Sequence, residues 1–176
     1  TNLSDSISGW DVSDDDIDGG LGDDTLFGYG GNDTLRNGEV MYGGTGNDTY
    51  VLPQWSSHIT VYESPEVGVH TDAIVLPASV APATFNMVWA NDDLLLVAGN
   101  QVGSLRVAQF FATPSGGAQV EEFRFTDSTV WTAVDLFARR VATTEGNDTT
   151  VYGFRWSDTI DGLGGNDQIW GREAAD

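Results

Sequence analysis

Nine consecutive residues, Gly19-Gly20-Leu21-Gly22-Asp23-Asp24-Thr25-Leu26-Phe27, combine three glycines with a carboxylate in sixth place and a large apolar residue two places later. Such a unit can supply oxygen ligands of two kinds. Glycines permit positive-φ turns that aim main-chain carbonyls inward, and Asp24 adds a carboxylate from the same turn. Calcium takes six to eight hard oxygen ligands at about 2.3–2.6 Å in a tolerant geometry, so it is the metal this donor set suits. The residues after the turn, Thr25-Leu26-Phe27, read as a short strand with Leu26 directed into an interior.

The unit recurs in phase. Asp5/Ile7, Asp15/Ile17, Asp24/Leu26, Asp33/Leu35 and Asp48/Tyr50 repeat the pairing of an acid with an apolar residue two places on. Gly28-Tyr29-Gly30-Gly31-Asn32-Asp33 has Tyr for the second Gly, and Gly43-Gly44-Thr45-Gly46-Asn47-Asp48 is complete. Between them, Asn37 to Tyr42 is a shortened turn without the Asp, and a metal-binding turn is lost there unless Glu39 substitutes. The pattern returns at Gly146-Asn147-Asp148 and at Asp158/Ile160, which Gly153 and Arg155 precede. It continues through Gly162-Leu163-Gly164-Gly165-Asn166-Asp167 and into Gly171-Arg172-Glu173, with Asp176 nine residues after Asp167. Asp5 to Asp15 and Asp148 to Asp158 are each spaced by ten, a shared one-residue expansion. The phase is cut inside a repeat at both ends, which reads as a piece of a longer repeat protein. Gly-Asn-Asp clusters that merely make β-turns have no reason to stay in phase across two separated blocks.

This resembles the RTX, or haemolysin-type, calcium-binding repeat of secreted haemolysins, adenylate cyclase toxins, metalloproteases and lipases. The resemblance implies side-chain ligands at Asp5, Asp15, Asp24, Asp33, Asp48, Asp148, Asp158, Asp167 and Asp176. It implies further ligands from the turn residues Gly19, Gly20, Leu21, Gly22, Gly28, Gly30, Gly31, Gly43, Gly44, Thr45, Gly46, Gly146, Gly153, Arg155, Gly162, Leu163, Gly164, Gly165, Gly171 and Glu173. Successive units then fall on opposite sides of a parallel β-roll (a β-helix, or solenoid), with roughly five or more calcium ions between its turns. It also implies export by type I secretion machinery and an extracellular or cell-surface location.

Composition sets the organisation. Residues 1–51 hold 11 of the 22 glycines, residues 52–142 only 5 and residues 143–176 the other 6, so the chain reads as repeat block, insert, repeat block. The expected fold is mostly β, two β-roll blocks flanking a strand-rich insert with one short helix. The net charge is −20 without a single Lys, and the first block alone carries 11 acids against one Arg. Like charges at this density oppose a compact state unless divalent cations compensate them. The same sign excludes a phosphate-neutralising nucleic-acid surface. No run of about 18 apolar residues marks a transmembrane helix, and without cysteine no disulfide can staple the fold.

The insert reads as strands at His58–Glu63, Asp72–Leu76, Phe85–Trp89, Leu94–Val97, Ser104–Phe111, Val120–Phe125 and Thr129–Trp131. Asn91-Asp92-Asp93 turns a hairpin, and Thr132 caps a helix over Ala133–Arg140. The stretch Phe123-Arg124-Phe125-Thr126-Asp127-Ser128-Thr129-Val130-Trp131-Thr132, then Asp135-Leu136, resembles the haemolysin-type calcium-binding-related region that lies between RTX blocks, and the strand-rich segment upstream, especially Asp92-Asp93-Leu94-Leu95-Leu96, supports it. That resemblance implies a packing or capping unit, since the open ends of a roll must be covered.

Other chemistry has little support. His58 and His70 are the only histidines, read as solvated loop residues rather than zinc ligands. Glu121 and Glu122 are neighbours on a strand and point to opposite faces. No G-x-S-x-G elbow, H-E-x-x-H helix or phosphate loop is present, so no catalysis is expected. Among the six Trp, Trp89 and Trp131 read as core, while Trp10, Trp156 and Trp170 sit beside metal turns. Exposed aromatic residues there make a calcium-stabilised adhesion module, with a glycan or cell-surface ligand, the alternative function.

Overall fold

The computed structural model describes residues 3–54, 58–65, 70–90, 92–98, 103–112, 120–140, 151–152, 165–166 and 168–170. Eight strands follow one another: β1 Ser6–Ser8, β2 Asp16–Asp18, β3 Thr25–Gly30, β4 Thr34–Arg36, β5 Val40–Thr45, β6 Thr49–Val51, β7 His58–Tyr62 and β8 Ala73–Val75. A 3-10 turn at Pro82–Thr84 leads to the hairpin β9 Phe85–Ala90 and β10 Asp93–Ala98. Then come β11 Ser104–Val107, β12 Glu122–Arg124, β13 Val130–Thr132 and the helix α1 Ala133–Arg140. Two short strands, β14 Val151–Tyr152 and β15 Ile169–Trp170, pair in parallel as a separate sheet.

From β1 to β8, strands of odd and even number go to different sheets. One has the order β1-β3-β5-β7-β11-β10-β9 and the other β13-β12-β8-β6-β4-β2. Pairing is parallel from β1 to β11 and from β2 to β12; β10, β9 and β13 join antiparallel at one end of each stack. Among the described residues the fold is thus mostly β with one short α-helix, and its two large sheets are mixed rather than parallel throughout. Strand pairing also crosses residue 51, where the glycines thin out: β5 pairs with β7 and β6 with β8.

The acid-to-apolar spacing accounts for part of the core. Ile7, Leu26, Met41, Val61 and Val107 stand in register along the first sheet. Ile17, Leu35, Tyr50, Ile74, Phe123 and Trp131 do so along the second. All but the end residue Ile7 are buried in one continuous cluster. Each such side chain contributes about 1.5–3 kcal/mol by leaving water. A one-residue slip of any strand would turn its central apolar residue out to solvent.

Two expected strands end early for local reasons. β11 stops at Val107 because Gln109 adopts φ +56° and donates its N–H to Asp93 Oδ1. β12 begins at Glu122 because the N–H groups of Glu121 and Glu122 both donate to the Asp72 carbonyl. α1 occupies Ala133–Arg140, as the capping residue predicts. The Asp135 N–H donates to Thr132 Oγ1, and Thr132 N–H donates back to Asp135 Oδ2 at 2.8 Å, closing a reciprocal cap.

Candidate metal centre

Each acid of the repeat sits immediately before a strand, so the stacking of strands stacks the acids. Thr34 N–H donates to the Asp15 carbonyl, Thr49 N–H to that of Asp33 and Ala73 N–H to that of Asp48, at 2.7–2.8 Å. Main-chain position is thereby set, and the side chains then bridge from turn to turn. Asp15 N–H donates to Asp33 Oδ1, Asp33 N–H to Asp48 Oδ1, Asp48 N–H to Asp72 Oδ1 and Asp72 N–H to Glu121 Oε2, all at 2.7–2.8 Å. On the opposite side of the stack Asp5 N–H donates to Asp24 Oδ1 at 2.8 Å and Asp24 N–H to Glu39 Oε2 at 2.9 Å. Two carboxylate rows result, one before the even strands and one before the odd strands.

The second oxygen of these carboxylates is what makes the rows a candidate metal centre. Asp24 is fully buried and Asp33 is 1% exposed, yet the Oδ2 atom of each has no hydrogen-bond partner. A buried carboxylate oxygen left this way carries a large desolvation penalty unless a cation meets it. Space for a cation exists where glycine stands. A Cβ at Gly19 would come within 2.8 Å of Asp24 Oδ2, and one at Gly28 would collide with both Asp33 Oδ2 and the Gly43 carbonyl. The first glycine of the unit thus keeps open a cradle walled by a carboxylate and a carbonyl of the next turn. Arg36, Arg106 and Arg124, the arginines whose side chains are described, pair elsewhere, with Asp16, Asp93 and Glu122. Burial raises the Asp33 carboxyl above its ordinary range, with the Asp15 and Asp14 charges adding to the shift. Hard anionic oxygens and carbonyls with no nitrogen or sulfur among them fit calcium.

The fourth place of the unit needs glycine for a different reason. Gly31 and Gly46 have φ of +122° and +125°, and a Cβ on Gly46 would collide with the Gly31 carbonyl of the preceding turn. Asn side chains tie the same turns together on the outside. Asn32 donates from N–H and Nδ2 to Asp14 Oδ1, Asn47 does the same to Asn32 Oδ1, and Thr71 N–H donates to Asn47 Oδ1.

Both irregular turns have a plain structural form. The extra residue before Asp15 is Val12, which bulges outward at 88% exposure while Asp11 and Ser13 keep their stacking against Gly30 and Gly31. The shortened turn is confined to Asn37–Glu39, because β5 already begins at Val40. Glu39 takes the Asp place in the second row, its longer side chain spanning the missing residues to reach Asp24 N–H. A cleft beside the shortened turn is lined by Gly20–Asp23, Asn37, Glu39, Pro53 and Gln54.

Among the sequence-derived residues, Asp5, Asp15, Asp24, Asp33 and Asp48 are brought into the two rows. Gly20, Gly22, Gly31, Gly44, Gly46 and Gly165 have positive φ. Gly30 packs against the Asp11 carbonyl, and Leu21 and Thr45 are exposed. Gly146, Asp148, Gly153, Arg155, Asp158, Gly162, Leu163, Gly164, Asp167, Gly171, Glu173 and Asp176 lie outside the described residues.

Three acids of the site were missed by the motif. Asp72 and Glu121 continue the first row without a complete G-G-x-G-x-D unit before them in the sequence; their signal was the spacing to an apolar residue two places on, Ile74 and Phe123. Glu63 enters from the end of β7, where ligand atoms of Asp48, Glu63 and Asp72 lie within 4.8 Å of one another. Burial and then the Asp72 charge push its carboxyl up to about 9. The Tyr50 hydroxyl donates to Glu63 Oε2, so the core residue of that unit has a polar end at the site, and burial raises its phenol well above the ordinary value. Trp131 is buried, as read from sequence, while Trp10 and Trp170 are 77% and 60% exposed.

A chain whose successive strands alternate between two sheets, with an acid immediately before each of β1 to β6, is a repeat protein with acid-lined turns. Residues 11–40, 38–50 and 152–176 match the RTX calcium-binding nonapeptide repeat (4 copies), and residues 93–135 match the haemolysin-type calcium binding protein related domain. The chain thus carries RTX calcium-binding nonapeptide repeats on either side of a haemolysin-type calcium-binding-related domain. No curated protein sequence matches the chain.

Proposed function

We propose that this chain is a calcium-folded segment of a secreted bacterial protein, unfolded during type I secretion and folded by calcium outside the cell. The observation that supports it most is the pair of buried Oδ2 atoms of Asp24 and Asp33, each beside an open glycine cradle and a carbonyl of the adjacent turn. On this reading residues 1–51 and 143–176 are parallel β-roll blocks, with Asp5, Asp15, Asp24, Asp33 and Asp48 as ligands in the first. Residues 52–142 extend the first roll and close it, since antiparallel strands end both parallel stacks.

Extracellular calcium modules bind with Kd of about 10⁻⁴–10⁻³ M. At ten times Kd one site stabilises the folded state by about 1.4 kcal/mol, so several sites together rival the whole stability of a domain, about 5–15 kcal/mol. Folding and metal binding are then one event. No catalytic role is proposed. Glycan binding draws less support from the outer aromatic row: Phe27, Tyr42 and Tyr62 stack at 4.9 and 4.6 Å, each covering the next ring's face. Circular dichroism in EDTA and in millimolar calcium tests the reading. A β spectrum that appears only with calcium is expected; the same spectrum in EDTA would defeat it.

A further inference from the structure

We propose that His70, Asp72 and Glu121 form a second kind of metal site, for a borderline divalent transition-metal ion of the zinc class, at the far end of the first carboxylate row. Ligand atoms of the three lie within 4.8 Å of one another. The nonapeptide match ends before residue 52 and resumes only at 152, so none of the three belongs to a repeat unit.

The donor set differs in kind from the rest of the row. Every other rung offers oxygen alone, whereas His70 brings an imidazole nitrogen. Imidazole favours zinc and its neighbours over calcium, which takes oxygen ligands. Two ligands of one ion stand at most twice the bond length apart, about 4.2 Å for zinc with bonds of about 2.1 Å. Ligands within 4.8 Å of each other therefore need only a small inward rotation of the half-buried His70 and Glu121 side chains.

The backbone fixes the other two ligands before any ion arrives. Glu121 and Glu122 N–H both donate to the Asp72 carbonyl at 3.0 Å, and Asp72 N–H donates to Glu121 Oε2 at 2.7 Å. Thr71 N–H, between His70 and Asp72, donates to Asn47 Oδ1 at 2.6 Å and holds the loop against the preceding turn. The site therefore joins the last turn of the first row to the haemolysin-type related domain at β12. Asp72 belongs also to the group formed with Asp48 and Glu63, so zinc and calcium would share it. His58 is committed elsewhere, its Nδ1 lying 2.8 Å from Ser104 Oγ.

The test is calorimetric titration of the calcium-loaded chain with Zn²⁺ in millimolar calcium, with Co²⁺ absorption as a second readout. One Zn²⁺ per chain is expected, and a Co²⁺ d–d band. His70→Ala should weaken Zn²⁺ by at least about tenfold, the scale on which metal sites lose affinity even when only a supporting residue is removed, and should abolish the Co²⁺ band. His58→Ala should change neither. Glu121→Gln keeps an acceptor for Asp72 N–H but removes the charge; it should weaken Zn²⁺ even if His70→Ala fails to fold. The proposal is overturned if the calcium-loaded chain binds no Zn²⁺, or if Zn²⁺ affinity is unchanged in folded His70→Ala or in Glu121→Gln. Calcium-induced folding is read separately by circular dichroism, so failure of the zinc site leaves the calcium reading standing.

Discussion

The N–H of Asp33 donates to Oδ1 of Asp48 at 2.8 Å, and Asp33 in turn accepts the N–H of Asp15 on its own Oδ1. Asp33 thus spends one oxygen on holding the preceding turn in place and directs the other towards the cradle at Gly28. On the proposed reading, structure and metal binding are divided between two atoms of one side chain. A substitution that removes only the second should separate the two roles.

Asp33→Asn is that substitution, because an amide oxygen can still accept the Asp15 N–H. The metal-free fold should be no less stable than wild type, since a buried charge has gone. The calcium-loaded fold should lose about 1.4 kcal/mol at ten times Kd if one site is lost. Asp127→Ala, which removes an exposed carboxylate bonded to Thr129 N–H in a turn outside the repeat, should leave the calcium dependence unchanged. Urea unfolding with calcium and with EDTA measures both. Equal calcium effects in the two variants would contradict the ligand assignment.

The pH dependence follows from Glu63 and Asp33. The Glu63 carboxyl rises from its ordinary 4.5 to about 9 in the metal-free fold, so the folded chain holds a proton that the unfolded chain releases between those values. Metal-free stability should therefore fall as pH rises from about 4.5 to about 9 and level off beyond, and Asp33, also raised, adds a loss of the same sign. Calcium should expel the Glu63 proton on binding. Denaturation in EDTA across this range checks the first statement, and proton release on adding calcium to a weakly buffered solution at pH 7 checks the second. Proton uptake would reverse the sign and refute it.

Glu39 tests the shortened turn. Glu39→Ala removes the acceptor of Asp24 N–H and should cost about 1–3 kcal/mol, the usual penalty for stranding a part-buried donor. Glu39→Gln keeps an acceptor and should recover most of that loss in EDTA but not in calcium. Thermal unfolding under both conditions distinguishes an acid needed for its charge from one needed only as a hydrogen-bond partner.

The carboxylate rows were legible from sequence to the extent that short-range spacing encodes them. An acid two places before an apolar residue marked Asp15, Asp24, Asp33 and Asp48, and put Ile17, Leu26, Leu35 and Tyr50 in the core. Asp72 and Glu121 carry the same spacing, but the sequence before them does not complete a G-G-x-G-x-D unit. Their place in the row depends on β8 and β12 pairing in parallel, a contact 49 residues apart in the case of Asp72 and Glu121. Glu63 gives no local sign at all, since its burial arises from the turns around it. His70, read as a solvated loop residue, stands instead beside two acids of the row.

Gly28 allows the cradle itself to be tested without disturbing backbone conformation. Unlike Gly31 and Gly46 it has no positive φ, so alanine is admitted by the main chain there, and the conflict is confined to Asp33 Oδ2 and the Gly43 carbonyl. Gly28→Ala should therefore displace the atoms that would surround the ion. Calcium affinity should fall, and the gap in stability between calcium and EDTA should narrow. Gly38→Ala offers the comparison, because a Cβ there meets Leu26 Cδ1 at 2.8 Å in the core and no carboxylate. That variant should lose stability by the same amount with and without calcium. Matched urea melts of the two decide the point: if Gly28→Ala is equally destabilised in both buffers, the space beside Asp33 serves packing and not a metal.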